Sequence, residues 1–270
     1  MTEERYKLRA WWNSRPLAAQ QCAERFCSFV NELAEFDPIF GAWLRDYQPS
    51  AKPCFPVPLG ANDAETFIGK AQARYDSPPG QVWPEMGYQI FGWNSGSLAY
   101  RGHDSYIAST ALSIGSFGRD EAHRNRVEIS ISNRRIATNA PWRASELRPL
   151  LKLVLRVWAP RELSVDCYRY QRFWPSVSDK SYEPPKIQLP PGAELIGRAD
   201  QSVLLPWVGW LTYLPADLAT KVTIPEDIEV ERLDDGGIIA TLCDEPFTID
   251  NPVHMARARA METAIRPVQT

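Results

Sequence analysis

Long apolar runs are missing from this 270-residue chain. Nothing approaches the roughly 20 consecutive apolar residues that cross a bilayer, so no membrane is expected as a partner. The opening residues, MTEERYKLRAWWNSRP, hold neither an apolar h-region nor a small-residue cleavage site. That excludes a secretory signal there and sets the expectation of a cytoplasmic protein. Cysteine is scarce and odd in number: Cys22, Cys27, Cys54, Cys167 and Cys243, with no Cys-x-x-Cys. A disulfide framework is excluded, and the five read as reduced, mostly buried thiols. An excess of positive charge is also lacking, since 30 Lys and Arg face 33 Asp and Glu. A net charge of −3 gives no global case for binding nucleic acid.

Histidine is scarcer still. His103, His123 and His254 are all there is. No two fall at i, i+4, and no Cys/His set has zinc spacing, so no metal is expected. The aspartates of DEPFTID do not match a calcium loop. No Gly-x-Gly-x-x-Gly follows a strand and no Gly-x-x-x-x-Gly-Lys is present, which leaves no cofactor expected. Seven lysines allow a sharper exclusion. Nucleases of the restriction-endonuclease fold often place an acid two positions before a lysine, to hold metal and steady the attacking water. None of Lys7, Lys52, Lys70, Lys152, Lys180, Lys186 or Lys221 has one there.

The stretch FGWNSG, ending at Gly96, nearly spells the Gly-x-Ser-x-Gly elbow of a serine hydrolase. Ser95 directly precedes Gly96, however, and SLAYRGHDSY follows where the elbow needs an amphipathic helix. His103 and His123 are the nearby bases, both in polar turns. The Trp-Asn-Ser triplet occurs a second time in WWNSRP, where it leads towards a helix. Both copies read as strand-end turns in which Asn and Ser bond their own backbone.

What is present is aromatic and periodic. Ten Trp, ten Tyr and ten Phe supply a core and suit a binding surface. Residues 6–12 read as a strand. Ser14 is placed to cap a helix whose stripe is Ala19, Cys22, Ala23, Phe26, Val30 and Leu33, with Pro16 in its first turn. DPIFGAWLRDY reads as a short helix or irregular segment, and proline-broken KPCFPVPLG as loop. A second helix is expected from Asn62 or Asp63 to about Tyr75, followed by SPPGQVWPEMG as loop. Three strands come next: GYQIFGW, SYIASTALSIGSFG (Ile107 and Ala111 against Ser109 and Ser113) and NRVEISIS. Ser145 is placed to cap a helix with the stripe Leu147, Leu150, Leu151, Val154 and Trp158. ELSVDCY is a strand, residues 171–191 a long loop, and SVLLPWVGWLTYLP a strand pair or bent strand. IEVERL and GGIIATL form a hairpin around Asp234-Asp235-Gly236-Gly237. Asn251 and Pro252 start a last helix, to about Arg266. Strands grouped this way predict an α+β fold, a mostly antiparallel sheet packed with several amphipathic helices. No linker divides the chain, so residues 1–270 are expected to form a single domain.

Charge is unevenly spread. Residues 215–250 hold ten acidic side chains against Lys221 and Arg232. Such a segment repels nucleic acid and attracts a basic partner. Glu226, Asp227, Glu229, Glu231, Asp234 and Asp235 are its densest part and the candidate binding residues.

The strand ending in WWNSRP, the helix AAQQCAERFCSFVNELAEFDPIF, the central GYQIFGWNSG, RNRVEISI and VGWLTYLP together resemble the immunity protein 52 family, over residues 6–239. These are bacterial immunity proteins of polymorphic toxin systems, including type VI secretion. The resemblance implies a non-enzymatic α+β protein in the cytosol of the toxin-producing cell. Its implied partner is a cognate toxin, often a nuclease of the restriction-endonuclease fold, neutralised by stoichiometric blocking of the active site or substrate groove. It implies no catalytic residues and transfers no interface residues. Specificity would then come from aromatic anchors, with Trp12, Trp93 and Trp210 as candidates and burial in the core as the other reading. Two further readings stay open: a hydrolase using Ser95 with His103 or His123, and a small-ligand or peptide-binding module.

Overall fold

A computed structural model of the chain describes residues 5–13, 15–37, 40–41, 43–44, 53–72, 74–76, 79–82, 87–94, 108–115, 125–132, 140–171 and 208–268. Among the described residues twelve strands and six α-helices run in the order β1 (Arg5–Trp12), α1 (Ala19–Phe36), β2 (Trp43–Leu44), β3 (Pro53–Phe55), α2 (Ala61–Lys70), β4 (Arg74–Asp76), β5 (Pro79–Val82), β6 (Tyr88–Asn94), β7 (Ala108–Ile114), β8 (Asn125–Ser132), α3 (Ala144–Trp158), β9 (Glu162–Cys167), α4 (Tyr168–Gln171), β10 (Leu211–Leu214), α5 (Ala216–Ala219), β11 (Glu229–Arg232), β12 (Ile238–Thr241) and α6 (Pro252–Ile265). Ten strands form one sheet in the order β11-β12-β10-β9-β1-β8-β7-β6-β2-β3. All pairings are antiparallel, and β4 and β5 make a separate hairpin. The fold is α+β, with an antiparallel sheet and packed helices.

β1 lies at the centre because its period-2 pattern suits a strand with two neighbours. Tyr6, Leu8, Ala10 and Trp12 are buried, and Arg5, Lys7, Arg9 and Trp11 point the other way. Register carries that face across the sheet, setting Leu8 opposite Ile129 and Val165. α1 and α3 cover it. The Trp12 ring stacks at 5.9 Å on Trp158 of α3, and Phe29 of α1 meets Trp158 edge-on at 5.6 Å. The opposite face is polar. Arg9 reaches Glu128 at 4.0 Å and Asp166 at 3.9 Å, and Lys7 reaches Glu128 at 3.5 Å.

Several elements depart from the sequence expectation. In β7 the core-facing residues are Thr110, Leu112 and Ile114, whereas Ala111 and Ser113 lie on the other side. Residues two apart lie on one face, so Ala111 cannot alternate with Ser113. KPCFPVPLG contributes β3 rather than loop alone; Pro53 is tolerated because β3 is the outermost strand of the sheet. The second helix stops at Lys70, and Arg74–Asp76 and Pro79–Val82 pair as strands where a longer helix and a loop were expected. Of the expected strand pair at 202–215, only Leu211–Leu214 is a strand, and residues 202–207 lie outside the described residues, as does nearly all of the expected loop at 171–191.

The caps differ too. α1 begins at Ala19, and the Gln21 side chain accepts from the Ala18 amide at 3.1 Å, so Ser14, itself outside the described residues, is too early to cap it. Ser145 is the second residue of α3 and not its cap. A distant loop supplies that function: Asp244 accepts from the Ser145 amide through Oδ1 at 3.1 Å and from the Ala144 amide through its carbonyl at 2.9 Å. Asn251 does cap α6, accepting from the Val253 amide at 2.9 Å, with Pro252 as the first helical residue.

Candidate functional site

The β11–β12 hairpin forms where the sequence expects it. Gly236 adopts a φ of +83°, a left-handed conformation that glycine supplies without steric cost. Asp235 braces the turn by accepting from the Gly237 amide at 2.8 Å. The hairpin is one end of the sheet, with β11 outermost.

The six candidate acids therefore lie together, at one sheet edge, but they are not equivalent. Glu229 and Glu231 point from β11 towards α3, where Arg148 meets Glu229 at 2.5 Å and Lys152 pairs with Glu231. Asp227 meets Arg257 of α6 at 3.2 Å. Those three acids hold the edge strand and its approach to two helices. Glu226 and Asp234 are exposed and form no ion pair among the described residues, and Asp235 accepts from the Gly237 amide and, at 3.4 Å, from the Tyr213 hydroxyl. The Tyr213 hydroxyl is itself pushed up to about 12, by burial first and then by the Asp235 charge, so it remains a donor.

Beside the hairpin runs a cleft of about 850 Å³. One wall is α1 with Glu32, Glu35 and Phe36, the second is α3, and the third is the turn with Leu233, Asp234 and Asp235. Leu153, Leu155, Phe36 and Leu233 give it apolar surface. Its two cations are engaged: Arg156 pairs with Glu32 of the lining, and Lys152 with Glu231 of β11. Phe36 is held by stacking on Trp142 at 6.2 Å. The sequence reading missed this cleft. A signal existed, since Glu32, Glu35 and Phe36, and likewise Pro149, Lys152, Leu153 and Arg156, share helical faces at i, i+3, i+4 and i+7 spacing. Nothing in the sequence says that both faces meet the hairpin.

Two of the three aromatic candidates resolve inward. Trp12 and Trp210 are buried, and Trp210 Nε1 donates to the Cys243 carbonyl at 2.7 Å. The side chain of Trp93, and Ser95, His103 and His123, lie outside the described residues. Gly92, in the same FGWNSG stretch, has a packing role: a Cβ there would approach the Trp43 ring to 3.0 Å.

A third cluster has metal-like spacing. Cys243 Sγ, a Glu245 carboxylate oxygen and a His254 ring nitrogen lie within 4.8 Å of one another. Its donor chemistry does not fit a cation. The Thr248 amide donates to Nδ1 at 3.2 Å, and Nε2 lies 2.9 Å from a Glu245 carboxylate oxygen and 3.1 Å from the Asn251 amide nitrogen. Both ring nitrogens are engaged. Burial pushes the Cys243 thiol up to about 12, and it donates to the Glu245 carbonyl at 3.2 Å. These are the bonds of a structural network joining the loop to α6. Among the described residues no helix is long and apolar enough to cross a membrane.

Comparison with known proteins gives a family resemblance over part of this chain. The model of the immunity protein 52 family matches residues 196–267, a span that contains β10, the acidic hairpin and α6. The chain thus resembles that family through its C-terminal part, including VGWLTYLP. No curated protein matches the chain. Among solved structures, the Pseudomonas aeruginosa T6SS protein PA0821 is similar, with 13% identity and a TM-score of 0.44 over 98% of this chain and 75% of that one. A likeness that distant does not bear on function.

Proposed function

We infer that this chain is a bacterial immunity protein that binds a cognate toxin and neutralises it stoichiometrically. The observation that carries the reading is the immunity protein 52 match over residues 196–267, which spans the acidic hairpin at the sheet edge. The toxin is a nuclease of restriction-endonuclease fold delivered by type VI secretion, and the immunity protein covers its active site or substrate groove. Physical chemistry supports the pairing of signs: a nuclease surface that holds phosphates is basic, and an acidic hairpin is drawn to it and docks faster. The protein acts without catalysis, as one domain, in the cytoplasm of the producing cell.

The test is coexpression with the toxin encoded beside it. Growth is restored and the two copurify one to one. A neighbouring toxin that does not copurify overturns the reading. Nuclease identity is tested separately by adding the purified protein to the toxin and following DNA or RNA cleavage, which stops at one equivalent. A toxin with no nuclease activity removes that part alone.

A further inference from the structure

The cleft between α1, α3 and the β11–β12 turn has the form of a docking site with a defined chemistry. We propose that it receives a segment of the partner protein carrying an apolar side chain flanked by Lys or Arg; this rests on the immunity reading and names its contact surface. Volume is the first consideration. About 850 Å³ is room for several side chains. Preorganisation is the second. Two walls are helices of the core, Phe36 is stacked on Trp142, and the third wall is a hairpin turn braced by Asp235. A partner does not have to order these walls, which lowers the cost of binding.

Charge decides the occupant. The lining holds Glu32, Glu35, Asp234 and Asp235 against Lys152 and Arg156. Both cations are paired, Arg156 with Glu32 and Lys152 with Glu231. Glu35 and Asp234 are exposed and have no ion pair among the described residues. Among the described residues the rim therefore presents uncompensated negative charge around Leu153, Leu155 and Leu233. An acidic or purely apolar segment leaves those carboxylates unsatisfied or repelled, whereas a basic one pairs with them while its neighbour covers the leucines. The acids of β11 are poor competitors for the same cations, because Glu229 and Glu231 are held by α3.

The experiment measures association of the purified full-length chain with its cognate toxin. The Glu35→Lys/Asp234→Lys double variant reverses two exposed charges that make no described hydrogen bond. The control, Asp63→Lys/Glu65→Lys, changes net charge equally on exposed positions of α2, outside the cleft lining and the acidic hairpin. Thermal melts of all three confirm the fold. Affinity of the cleft variant falls at least about tenfold, mostly through slower association, and the deficit shrinks at high salt. A Leu233→Asn variant, which keeps the charges, loses affinity through faster dissociation. If wild type and cleft variants bind alike, or the control loses as much as the cleft variant, the cleft is overturned while the immunity reading stands. If sedimentation shows wild-type dimers that the cleft variant abolishes, the occupant is a second copy and the proposal fails. A wild-type chain that does not bind the toxin at all overturns the immunity reading first.

Discussion

The two ends of the sheet are finished in opposite ways. At the β3 end, Phe26, Phe55 and Phe67 form a closed triangle with ring centroids 5.0 to 5.4 Å apart, and Trp43 lies over Gly92. At the β11 end the last strand is Glu-Val-Glu-Arg, mostly exposed, and its acids are tied to α3 by cations. Either device discourages pairing with a stray strand. At the charged end, Glu226 and Asp234 are exposed with no ion pair among the described residues. The difference teaches that the buried tryptophans among the described residues serve packing, whereas the β11 edge is held by charge. Trp12, Trp43, Trp142, Trp158 and Trp210 are all buried.

The comparison is broken most forcefully at the aromatic end. Phe26→Ala removes a ring that is 1% exposed and touches both Phe55 and Phe67. A loss of about 3–5 kcal/mol in urea unfolding is expected, with toxin affinity of the folded fraction unchanged. A variant that unfolds normally but binds weakly would place recognition at the wrong end.

Much of this contrast is legible in the sequence, and the illegible part has a physical reason. The period-2 pattern of residues 6–12 and the Asp-Asp-Gly-Gly turn are local signals, and both elements form where expected. Asn251-Pro252 is equally local. The acidic cluster is visible as composition, yet composition cannot separate Glu229, held by Arg148 from 81 positions away in sequence order, from Asp234, which faces outward. Tertiary capping hides in the same way: Ser145 looks like a cap, but the carboxylate that does the work is Asp244. The two-residue strand at Trp43 and the proline-led strand at Pro53 carry too little period to be read; pairing with neighbours defines them.

A middle-sized effect lies in α6, away from both ends. Burial raises the Glu262 carboxyl above its ordinary range, although the Tyr170 hydroxyl donates to it. A raised carboxylic pKa means the folded state holds the proton better than the unfolded chain. The contribution of Glu262 to stability therefore grows as pH falls from its raised folded value towards the ordinary glutamate value. Glu262→Gln keeps an acceptor for Tyr170 and is expected to be more stable than wild type above that window. The advantage fades as pH falls through it, which paired melts at several pH values will check.

Smaller again is the cap shared between the hairpin's exit and α3. Asp244→Ala removes the acceptor for the Ser145 amide and the partner of Arg143, at a cost of about 1 kcal/mol. Bonds from the Ser145 amide, then from Arg143, hold the Asp244 carboxyl below the usual range. A depressed pKa gives stability that is present above the unfolded aspartate value and lost as pH falls through the folded one. Asp244→Asn should abolish that pH-dependent part while keeping an oxygen acceptor. Wild-type and Asn variants with parallel pH profiles would remove the ionised cap from the account.

The smallest effect tests whether charge at this end merely decorates a packed core. Arg161, just before β9, makes a two-pronged contact with Asp217 of α5, at 2.7 and 2.5 Å. Its hydrogen bonds hold the Asp217 carboxyl below the usual aspartate range. Both side chains are more than two-fifths exposed, 42% and 51%, so water and salt screen the pair. A double-mutant cycle with Arg161→Ala and Asp217→Ala is expected to give a coupling of only about 0.2–1 kcal/mol. By the same linkage the coupling is present above the unfolded aspartate pKa and disappears as pH falls through the depressed folded value; added salt reduces it too. A coupling above about 2 kcal/mol, insensitive to salt, would be outside the range of exposed pairs. It would mean that charge holds this end together as firmly as aromatic packing holds the other, and the division between packing and recognition would have to be redrawn.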